Sequence, residues 1–417
     1  MAVALLKLRF LLPLLALFSS SSILAQTSSI LTITKPASNT YRLRWLAETG
    51  QPYQMQTGFD LQNWMNYGSL ITGTGIEVAV DITSSNPKHF FRLKPTVIRA
   101  GFSSSSLPAD DDNSSLSVSI GFTINLFGTN RNSCRVNNNG NITFNSPLDD
   151  YTPNPLRDLG FPIIAPFWAD VDTRGELSNA TTYGSGTING RLAFGVNWID
   201  VGYFFLKDDK LNSFQMVLIE RSDTGSGNFD IEFNYARILW ETGDHLDSGG
   251  ESGLGGIPAR AGISNGSTRT VELLYSGQSL KQLDYDPYTA IPNIQTGLIF
   301  RSRRSNIPGR FIFQVRSGEI SGALNVSAGP DQTLANSATT ATLLGSASSP
   351  GGGSLSIHWE VFESVSGTSG ISFSNPNILD PIISIPAGVS AKLLLTISSS
   401  LDNSIIASDV MEIKRIQ

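Results

Sequence analysis

The sequence predicts an all-β protein in which three β domains follow one another along the chain. Apolar and polar residues alternate over residues 192–198 and 229–235. That period of two places one face of a strand in a core and the other in water. Residues 214–219 form a short apolar run, as in a strand covered on both faces. Turn signals such as Asn139-Gly140 separate these runs, because Asn-Gly tolerates the positive φ of tight hairpins. The central stretches keep no helical period.

Length and composition limit the classes of protein that the chain can belong to. Its 417 residues are too many for a single core of this kind and favour two to four domains. The formal net charge of −6 gives a nucleic-acid partner no electrostatic footprint. Cys134 is the sole cysteine, so an intrachain disulfide is impossible, and it is expected to be an inert buried thiol. Stability must therefore come from apolar cores.

The N-terminus has the layout of a secretory signal peptide over residues 1–25. Lys7 and Arg9 form a basic region, residues 10–18 are rich in Leu, and Ala25 is a plausible cleavage position. The apolar run is about half of the ~20 residues that a membrane span requires. We therefore expect an extracellular protein, secreted or at the cell surface, with no membrane span after cleavage. An extracellular chain without disulfides is more typical of bacteria than of animals.

Residues 26–96 are predicted to form a small β-sandwich domain. Its alternating pattern resembles a short β-sandwich repeat that is frequent in large secreted proteins of environmental bacteria, to which no activity is attached. Its aromatic side chains could stack on sugar rings, but alternation also places such residues in a core, and we favour the core. These aromatic residues are Tyr41, Trp45, Tyr53 and Trp64.

Residues 97–318 are predicted to form the central domain. Seven segments within it, in this order and spacing, resemble the NIDO domain, an extracellular module named after nidogen. The resemblance spans roughly residues 102–303 and implies a secreted or surface module associated with cell–matrix adhesion, without a catalytic site. The seven segments are residues 136–144, 163–174, 194–203, 212–219, 229–235, 238–244 and 259–266.

Asp170 and Asp172 are the most prominent polar pair in the central domain. In an extended strand they would share a face, and adjacent carboxylates are costly unless a cation lies between them. The pair could hold a metal ion, with Ca²⁺ as the candidate, or act as catalytic carboxylates. Alternatively, Arg174, Arg260 or backbone N–H groups satisfy both side chains in a structural turn, which is the interpretation we favour.

Other polar groups give weaker signals. Residues 110–112 are three consecutive aspartates that could bind Ca²⁺ if loop carbonyls joined them, although a solvated loop is the simpler expectation. His89, His245 and His358 fall in different domains or loops, so a zinc cluster or a catalytic triad built from them is not expected. The arginines within residues 301–310 could meet an acidic polysaccharide or lie at a solvated domain junction.

Residues 319–417 resemble the PKD-type immunoglobulin-like domain of surface proteins. The similarity rests on residues 328–333, 344–347, 357–361 and 393–397. Trp359 is the expected buried tryptophan of such a sandwich. Turn-rich boundaries predict that residues 101–318 fold independently of this domain.

Two functions remain open from the sequence. The first is a non-catalytic protein that mediates cell–matrix adhesion by binding a matrix protein or a polysaccharide. The alternative is a secreted carbohydrate-binding accessory protein or hydrolase. The irregular segments 173–190 and 243–256 are the predicted recognition surface, because a β-sandwich carries its variable chemistry on its loops.

Overall fold

The computed structural model describes residues 32–37, 39–47, 52–59, 65–69, 71–73, 76–84, 89–364 and 369–416. The chain divides into two compact units, residues 1–100 and 101–417. The described residues form β-strands and three single 3₁₀ turns, so the predicted all-β class is confirmed. The predicted signal peptide and Trp64 lie outside the described residues.

The first unit consists of short antiparallel strands in two sheets, ordered β1-β2-β6 and β4-β3-β5, with β7 also pairing β3. Trp45 and Tyr53 are buried in its core with their rings 5.9 Å apart, as the core interpretation of these aromatics predicts. Its strands are β1 (Thr32–Ala37), β2 (Thr40–Leu46), β3 (Pro52–Gly58), β4 (Met65–Asn66), β5 (Ile71–Thr72), β6 (Glu77–Thr83) and β7 (Phe90–Pro95).

The central part of the second unit contributes to two large sheets. Its strands are β8 (Ser105–Ser106), β9 (Val118–Leu126), β10 (Thr129–Asn137), β11 (Asn141–Thr143), β12 (Ile163–Trp168), β13 (Val171–Asp172), β14 (Thr182–Ile188), β15 (Arg191–Tyr203), β16 (Lys207–Glu220), β17 (Phe229–Arg237), β18 (Arg260–Ser264), β19 (Thr270–Leu273), β20 (Arg310–Arg316) and β21 (Glu319–Ile320). The 3₁₀ turns are Leu156–Asp158, Ser222–Thr224 and Leu298–Phe300.

One large sheet has the order β21-β20-β17-β16-β15-β14-β8, with β13 also pairing β15. The other includes the path β19-β18-β12-β11-β10-β9. Aromatic side chains from both sheets share one apolar core, in which Trp198 stacks on Phe214 at 5.2 Å and Phe167 lies 5.3 Å from Phe214. The run 214–219 is buried throughout, as predicted.

The water-facing side predicted for the alternating strands is wrong. Asn197 on β15 and Asn234 on β17 stand at positions predicted to face water, yet both are buried, and Gln215 on β16 is buried between them. Gln215 donates to Asn197 Oδ1 at 2.7 Å, Asn234 donates to Gln215 Oε1 at 3.0 Å, and Arg310 donates to Asn234 Oδ1 at 2.8 Å. The alternating strands therefore place apolar side chains in the core on one face and a row of buried, hydrogen-bonded polar side chains on the other. We call this row, formed by Asn197, Gln215, Asn234 and Arg310, the polar ladder.

The C-terminal part packs around a second apolar core that contains Trp359, which is buried as predicted. The Trp359 indole N–H donates to the carbonyl of Ile378 at 3.1 Å. Its strands are β22 (Asn325–Ser327), β23 (Gln332–Leu334), β24 (Thr340–Thr342), β25 (Ser346–Ser348), β26 (Leu355–Ser364), β27 (Ser372–Phe373), β28 (Ile382–Ser384), β29 (Ser390–Ser399) and β30 (Asp402–Arg415).

Sheet pairing crosses the predicted domain boundary between residues 318 and 319. β30 pairs with β19, opposing Ile405 to Leu273, and so joins β26-β29-β30 to the sheet of the central part. Ile405 belongs to the central apolar core. Independent folding of residues 101–318 stays a prediction, but the two parts share one sheet.

The predicted basic patch lies at this junction and is largely buried rather than solvated. The guanidinium of Arg303 donates to Asp402 at 2.8 Å, and Arg310 pairs with Glu232. Arg301 donates to the carbonyls of Leu274 and Thr296. Arg303 and Arg310 are buried and Arg301 is half-buried, which leaves these three unsuited to bind an extended acidic polysaccharide, whereas Arg304 is exposed.

Among the described residues, no helix is long and apolar enough to cross a membrane.

Candidate functional site

One end of the central sandwich gathers the loops that carry the predicted site. The hairpin between β15 and β16 turns at residues 204–206, and β13 lies beside it with Val171 opposite Tyr203. The backbone N–H of Phe204 donates to the carbonyl of Asp170 at 3.2 Å, and that of Asp244 donates to the carbonyl of Phe204 at 3.0 Å. We call this region the Phe204 end.

The asparagines between β10 and β11 hold the acidic segment 110–112 against β13. Asn138 Nδ2 donates to the carbonyls of Val171 at 2.6 Å and Asp110 at 3.1 Å. Asn139 Nδ2 donates to Asp112 Oδ1 at 2.8 Å, while its Oδ1 accepts the N–H of Val171 at 3.0 Å. Two amide side chains therefore fix the position of carboxylates that are about 60 residues apart in sequence.

Three carboxylates converge at this point. One carboxylate oxygen from each of Asp111, Asp112 and Asp170 lies within 4.8 Å of the other two. Asp170 is only 2% exposed. Asp170 Oδ2 and Asp111 Oδ1 are buried without a hydrogen-bond partner in the described part of the chain. The cluster thus contains negative oxygens that the surrounding protein leaves uncompensated.

Asp172 is placed differently from its predicted partner Asp170. Its carboxylate accepts the Arg174 side chain at 2.9 and 2.6 Å, the Arg174 N–H at 2.9 Å and the Leu206 N–H at 2.8 Å. Burial alone would raise the pKa of Asp172, but these donors outweigh it and hold the pKa below its usual value. Asp172 is therefore an ionised structural residue tied to Arg174, one of the alternatives that the sequence left open for the pair.

The pKa values of the clustered carboxyls reflect their surroundings. Burial raises the pKa of Asp170 to about 8, and repulsion from Asp111, Asp112 and Asp172 adds to the rise. Burial, followed by repulsion from Asp172 and Asp112, raises the pKa of Asp111 to about 7. Burial also raises the pKa of Asp112. Such a group favours either bound protons or a bound cation.

The turn at Gly243, the first residue of segment 243–256, covers Asp170. A Cβ on Gly243 would lie 2.1 Å from Asp170 Oδ2, so only glycine allows this close approach. The segment is internally hydrogen-bonded: Gly253 N–H donates to Asp244 Oδ1 at 2.8 Å, and Ser248 Oγ donates to the carbonyl of Gly243 at 2.9 Å. The cover makes the Asp170 carboxylate inaccessible to a substrate.

Exposed apolar side chains surround the covered cluster. Leu246 is 97% exposed and Phe205 is 61% exposed, and Leu177 and Leu206 are exposed as well. Leu206 adjoins the acidic site through its N–H bond to Asp172. The segments 173–190 and 243–256 are the recognition surface that the sequence predicts, but their polar composition gives no sign of this apolar content.

The remaining sequence candidates lie outside the carboxylate cluster, although His245 lies at the Phe204 end with its ring 5.3 Å from that of Phe204. Cys134 is fully buried, and burial raises its pKa to about 12, which agrees with an inert thiol. His89 contacts Ser84, His245 packs against Tyr151, and His358, which is on β26, lies beside Asn377. None of these histidines belongs to the carboxylate cluster found among the described residues.

Comparison with known proteins agrees with the resemblance seen in the sequence. Residues 132–317 match the family model of the nidogen-like domain, NIDO. The chain therefore contains a nidogen-like domain. Alpha-tectorin of Mus musculus is 33% identical over 237 residues, and nidogen of Drosophila melanogaster is 27% identical over 130 residues.

The matches cover 51% and 26% of this chain, respectively, but only 10% of each relative. This chain thus corresponds to about a tenth of the length of these relatives. Among solved structures, a PKD domain from the KIAA 1837 protein is similar at 22% identity over 22% of this chain and 87% of that domain, with a TM-score of 0.19. That score carries no argument, so the PKD-type assignment stays a prediction.

Proposed function

We propose that this protein is an extracellular, non-catalytic binding protein that mediates cell–matrix adhesion. The observation that carries the proposal is the nidogen-like domain at residues 132–317, within a chain similar to segments of alpha-tectorin and nidogen. The predicted signal peptide supports export of the chain.

The Asp170 site supports binding rather than catalysis. A general acid or base must reach the substrate within hydrogen-bond distance, and Asp170 is 2% exposed beneath Gly243. Asp172, the other candidate, is engaged by Arg174 and the Leu206 N–H. The acidic residues therefore organise the Phe204 end of the nidogen-like domain and do not form an open reaction centre.

The Phe204 end is the surface that we assign to partner recognition. Leu246, Phe205 and Leu177 expose apolar side chains there, next to polar loops rich in Gly, Ser and Thr. Apolar anchors rimmed by polar groups are typical of interaction sites. The partner class is a matrix protein or a polysaccharide, and weak contacts of this kind gain strength through multivalent display.

The test is capture of the full chain on arrays of matrix proteins and glycans. We expect capture that falls at least tenfold for the double variant Phe205→Ser, Leu246→Ser. Leu192→Ser is the matched control, because Leu192 is 52% exposed at the opposite end of β15, roughly 35 Å from Tyr203 at about 3.3 Å per residue. Equal capture by the double variant and wild type would remove the Phe204 end from the proposal.

The same arrays separate adhesion from the alternative of a carbohydrate-processing protein. Wild type that binds without product formation supports adhesion. Turnover of a polysaccharide that disappears in Asp170→Asn and persists in Asp284→Asn would overturn the non-catalytic assignment. Asp284→Asn is the control because it also removes one largely buried carboxylate.

A further inference from the structure

We propose that Asp111, Asp112 and Asp170 bind one Ca²⁺ ion at the Phe204 end of the nidogen-like domain. One oxygen from each carboxylate lies within 4.8 Å of the other two, so a single ion can contact all three. Carboxylate oxygens are the ligands that Ca²⁺ prefers, at 2.3–2.6 Å. The proposal does not depend on the proposed adhesion function.

An independent observation points to a missing positive group. Asp170 is only 2% exposed, and its Oδ2 has no hydrogen-bond partner among the described residues. Asp111 Oδ1 is buried and unpartnered in the same part of the chain. Leaving a carboxylate oxygen buried and unpaired is costly, and proteins compensate such groups by pairing or by metal coordination.

The protein's own cation does not compensate the cluster. Arg174 is bound to Asp172 at 2.6 Å and reaches Asp111 only through Oδ2, at 2.9 Å. Arg174 thus contacts the carboxylates of Asp172 and Asp111, and the described residues show no ion pair for Asp112 or Asp170. The unpartnered oxygens of Asp111 and Asp170 are those that Arg174 does not reach.

The ligand set favours Ca²⁺ over other cations. Zinc sites use histidine nitrogen or cysteine sulfur, and the cluster contains neither. Mg²⁺ requires near-ideal octahedral geometry and is usually held by one or two carboxylates together with water. Ca²⁺ accepts irregular sets of six to eight oxygens, which suits carboxylates from two distant segments with water completing the shell.

The carboxylates are held in place before an ion arrives. Asn139 positions Asp112 Oδ1 at 2.8 Å, and Asn138 fixes the backbone of the acidic segment against Val171. An ion would join two segments, the one before β9 and the turn between β12 and β13, and the Gly243 turn packs on Asp170. The consequence is a calcium-dependent arrangement of the loops at the Phe204 end.

The experiment measures Ca²⁺ binding to the full chain after treatment with EDTA, by isothermal titration calorimetry and by thermal melting at pH 7.5. We expect one Ca²⁺ per chain and a rise in Tm, because an ion that binds the folded state stabilises it by mass action. Asp170→Asn should weaken binding at least tenfold and abolish the rise in Tm. Asp112→Asn is the second variant and keeps an oxygen to accept the Asn139 amide.

Asp284→Asn is the matched control, since Asp284 is another largely buried carboxyl whose pKa burial raises to about 7. It should retain wild-type Ca²⁺ affinity. The proposal is overturned if wild type binds no Ca²⁺ at 10 mM, if both cluster variants bind as wild type does, or if Mg²⁺ binds more tightly than Ca²⁺. If Asp170→Asn does not fold, the affinity of Asp112→Asn decides.

Discussion

Gly140 lies where the chain between β10 and β11 passes closest to β12. Its φ is +72°, and a Cβ there would lie 1.8 Å from the carbonyl oxygen of Phe167. Gly190, in the turn between β14 and β15, has a similar φ of +75° but open space around it. Alanine substitutions at the two positions therefore distinguish the free-energy cost of a left-handed backbone from the added cost of a steric clash.

We expect Gly190→Ala to lower the free energy of unfolding by about 1–2 kcal/mol, the cost of a left-handed conformation for an L-residue. Gly140→Ala should cost clearly more, because the Asn138 and Asn139 contacts must also move. Urea titrations of both variants provide the measurement. Equal losses would mean that the turn relaxes without disturbing Phe167.

Asp284 supplies a pH-dependent contribution to stability. Burial raises its pKa in the folded state from 3.8 to about 7, against a hydrogen bond from the Ile238 N–H at 2.9 Å that lowers it. The unfolded chain therefore releases this proton at lower pH than the folded chain does. The contribution of Asp284 to the free energy of unfolding must fall as pH rises from about 4 to about 7 and stay low above that range.

Asp284→Asn should remove this loss, because the amide does not titrate, and it keeps an oxygen that accepts from the Ile238 N–H. We expect the difference in unfolding free energy, variant minus wild type, to grow by roughly 2–4 kcal/mol between pH 4 and pH 8, at about 1.4 kcal/mol per pKa unit. Urea titrations at several pH values provide the curve. A difference that does not vary with pH would contradict the argument.

The sequence alone identified part of the candidate site. Asp170 stood out as one of two carboxylates after an apolar run, and the structure places it in the cluster. Asp111 and Asp112 were expected to be solvated, because their approach to Asp170 depends on the amides of Asn138 and Asn139. Contacts between segments so distant in sequence leave no periodic signal. The metal assignment for Asp170 and Asp172 stays a prediction, with Arg174 holding Asp172.

At the scale of the element, β15, β16 and β17 show which features of a strand the residue pattern predicts and which it does not. Alternation correctly selected the strands and most of their core residues, including Trp198 and Phe233, but Leu192 at the start of β15 is 52% exposed. It could not foresee that polar residues on neighbouring strands align across the sheet. Gln215 opposes Asn197 on one side and Asn234 on the other, which places their amides within hydrogen-bond distance.

Gln215→Met should destabilise the fold although it keeps a similar volume. The change leaves the buried Asn197 Oδ1 and Asn234 Nδ2 without the partners that Gln215 provides. An orphaned buried polar group costs about 1–3 kcal/mol, so we expect a loss of roughly 2–5 kcal/mol in urea titrations. Met216→Leu, a conservative change at the adjacent core residue, should cost less than about 1.5 kcal/mol. A loss for Gln215→Met no larger than for the control would contradict the importance of the ladder.

At the scale of the whole molecule, pattern and turn signals predicted the all-β class, and the resemblance to the NIDO domain located the nidogen-like segment. They did not reveal the sheet that connects it to the C-terminal part. β19 and β30 are more than 120 residues apart, and each also reads as an ordinary edge of its own domain. The three-dimensional arrangement decides the pairing of two such edges. Two ion pairs cross the junction beside it: Arg157 pairs with Asp409, and Arg303 pairs with Asp402.

Ile405→Ala tests whether this junction couples the two parts. Ile405 lies on β30 but is buried in the central core opposite Leu273, so its truncation in the full chain should cost about 2–5 kcal/mol.

If the parts unfold together, calorimetry of residues 101–417 gives one transition, which the variant lowers. The fragment 101–318 lacks β30, so we expect it to melt below residues 101–417 because Leu273 loses its cover. Ala341→Gly, on β24 of the C-terminal part, is the companion variant: it should lower the single transition if the parts are coupled and leave the melting of the nidogen-like domain unchanged if they are independent. Two separate transitions, with only the C-terminal one lowered by Ile405→Ala and the fragment as stable as the longer chain, would mean that the shared sheet does not couple them.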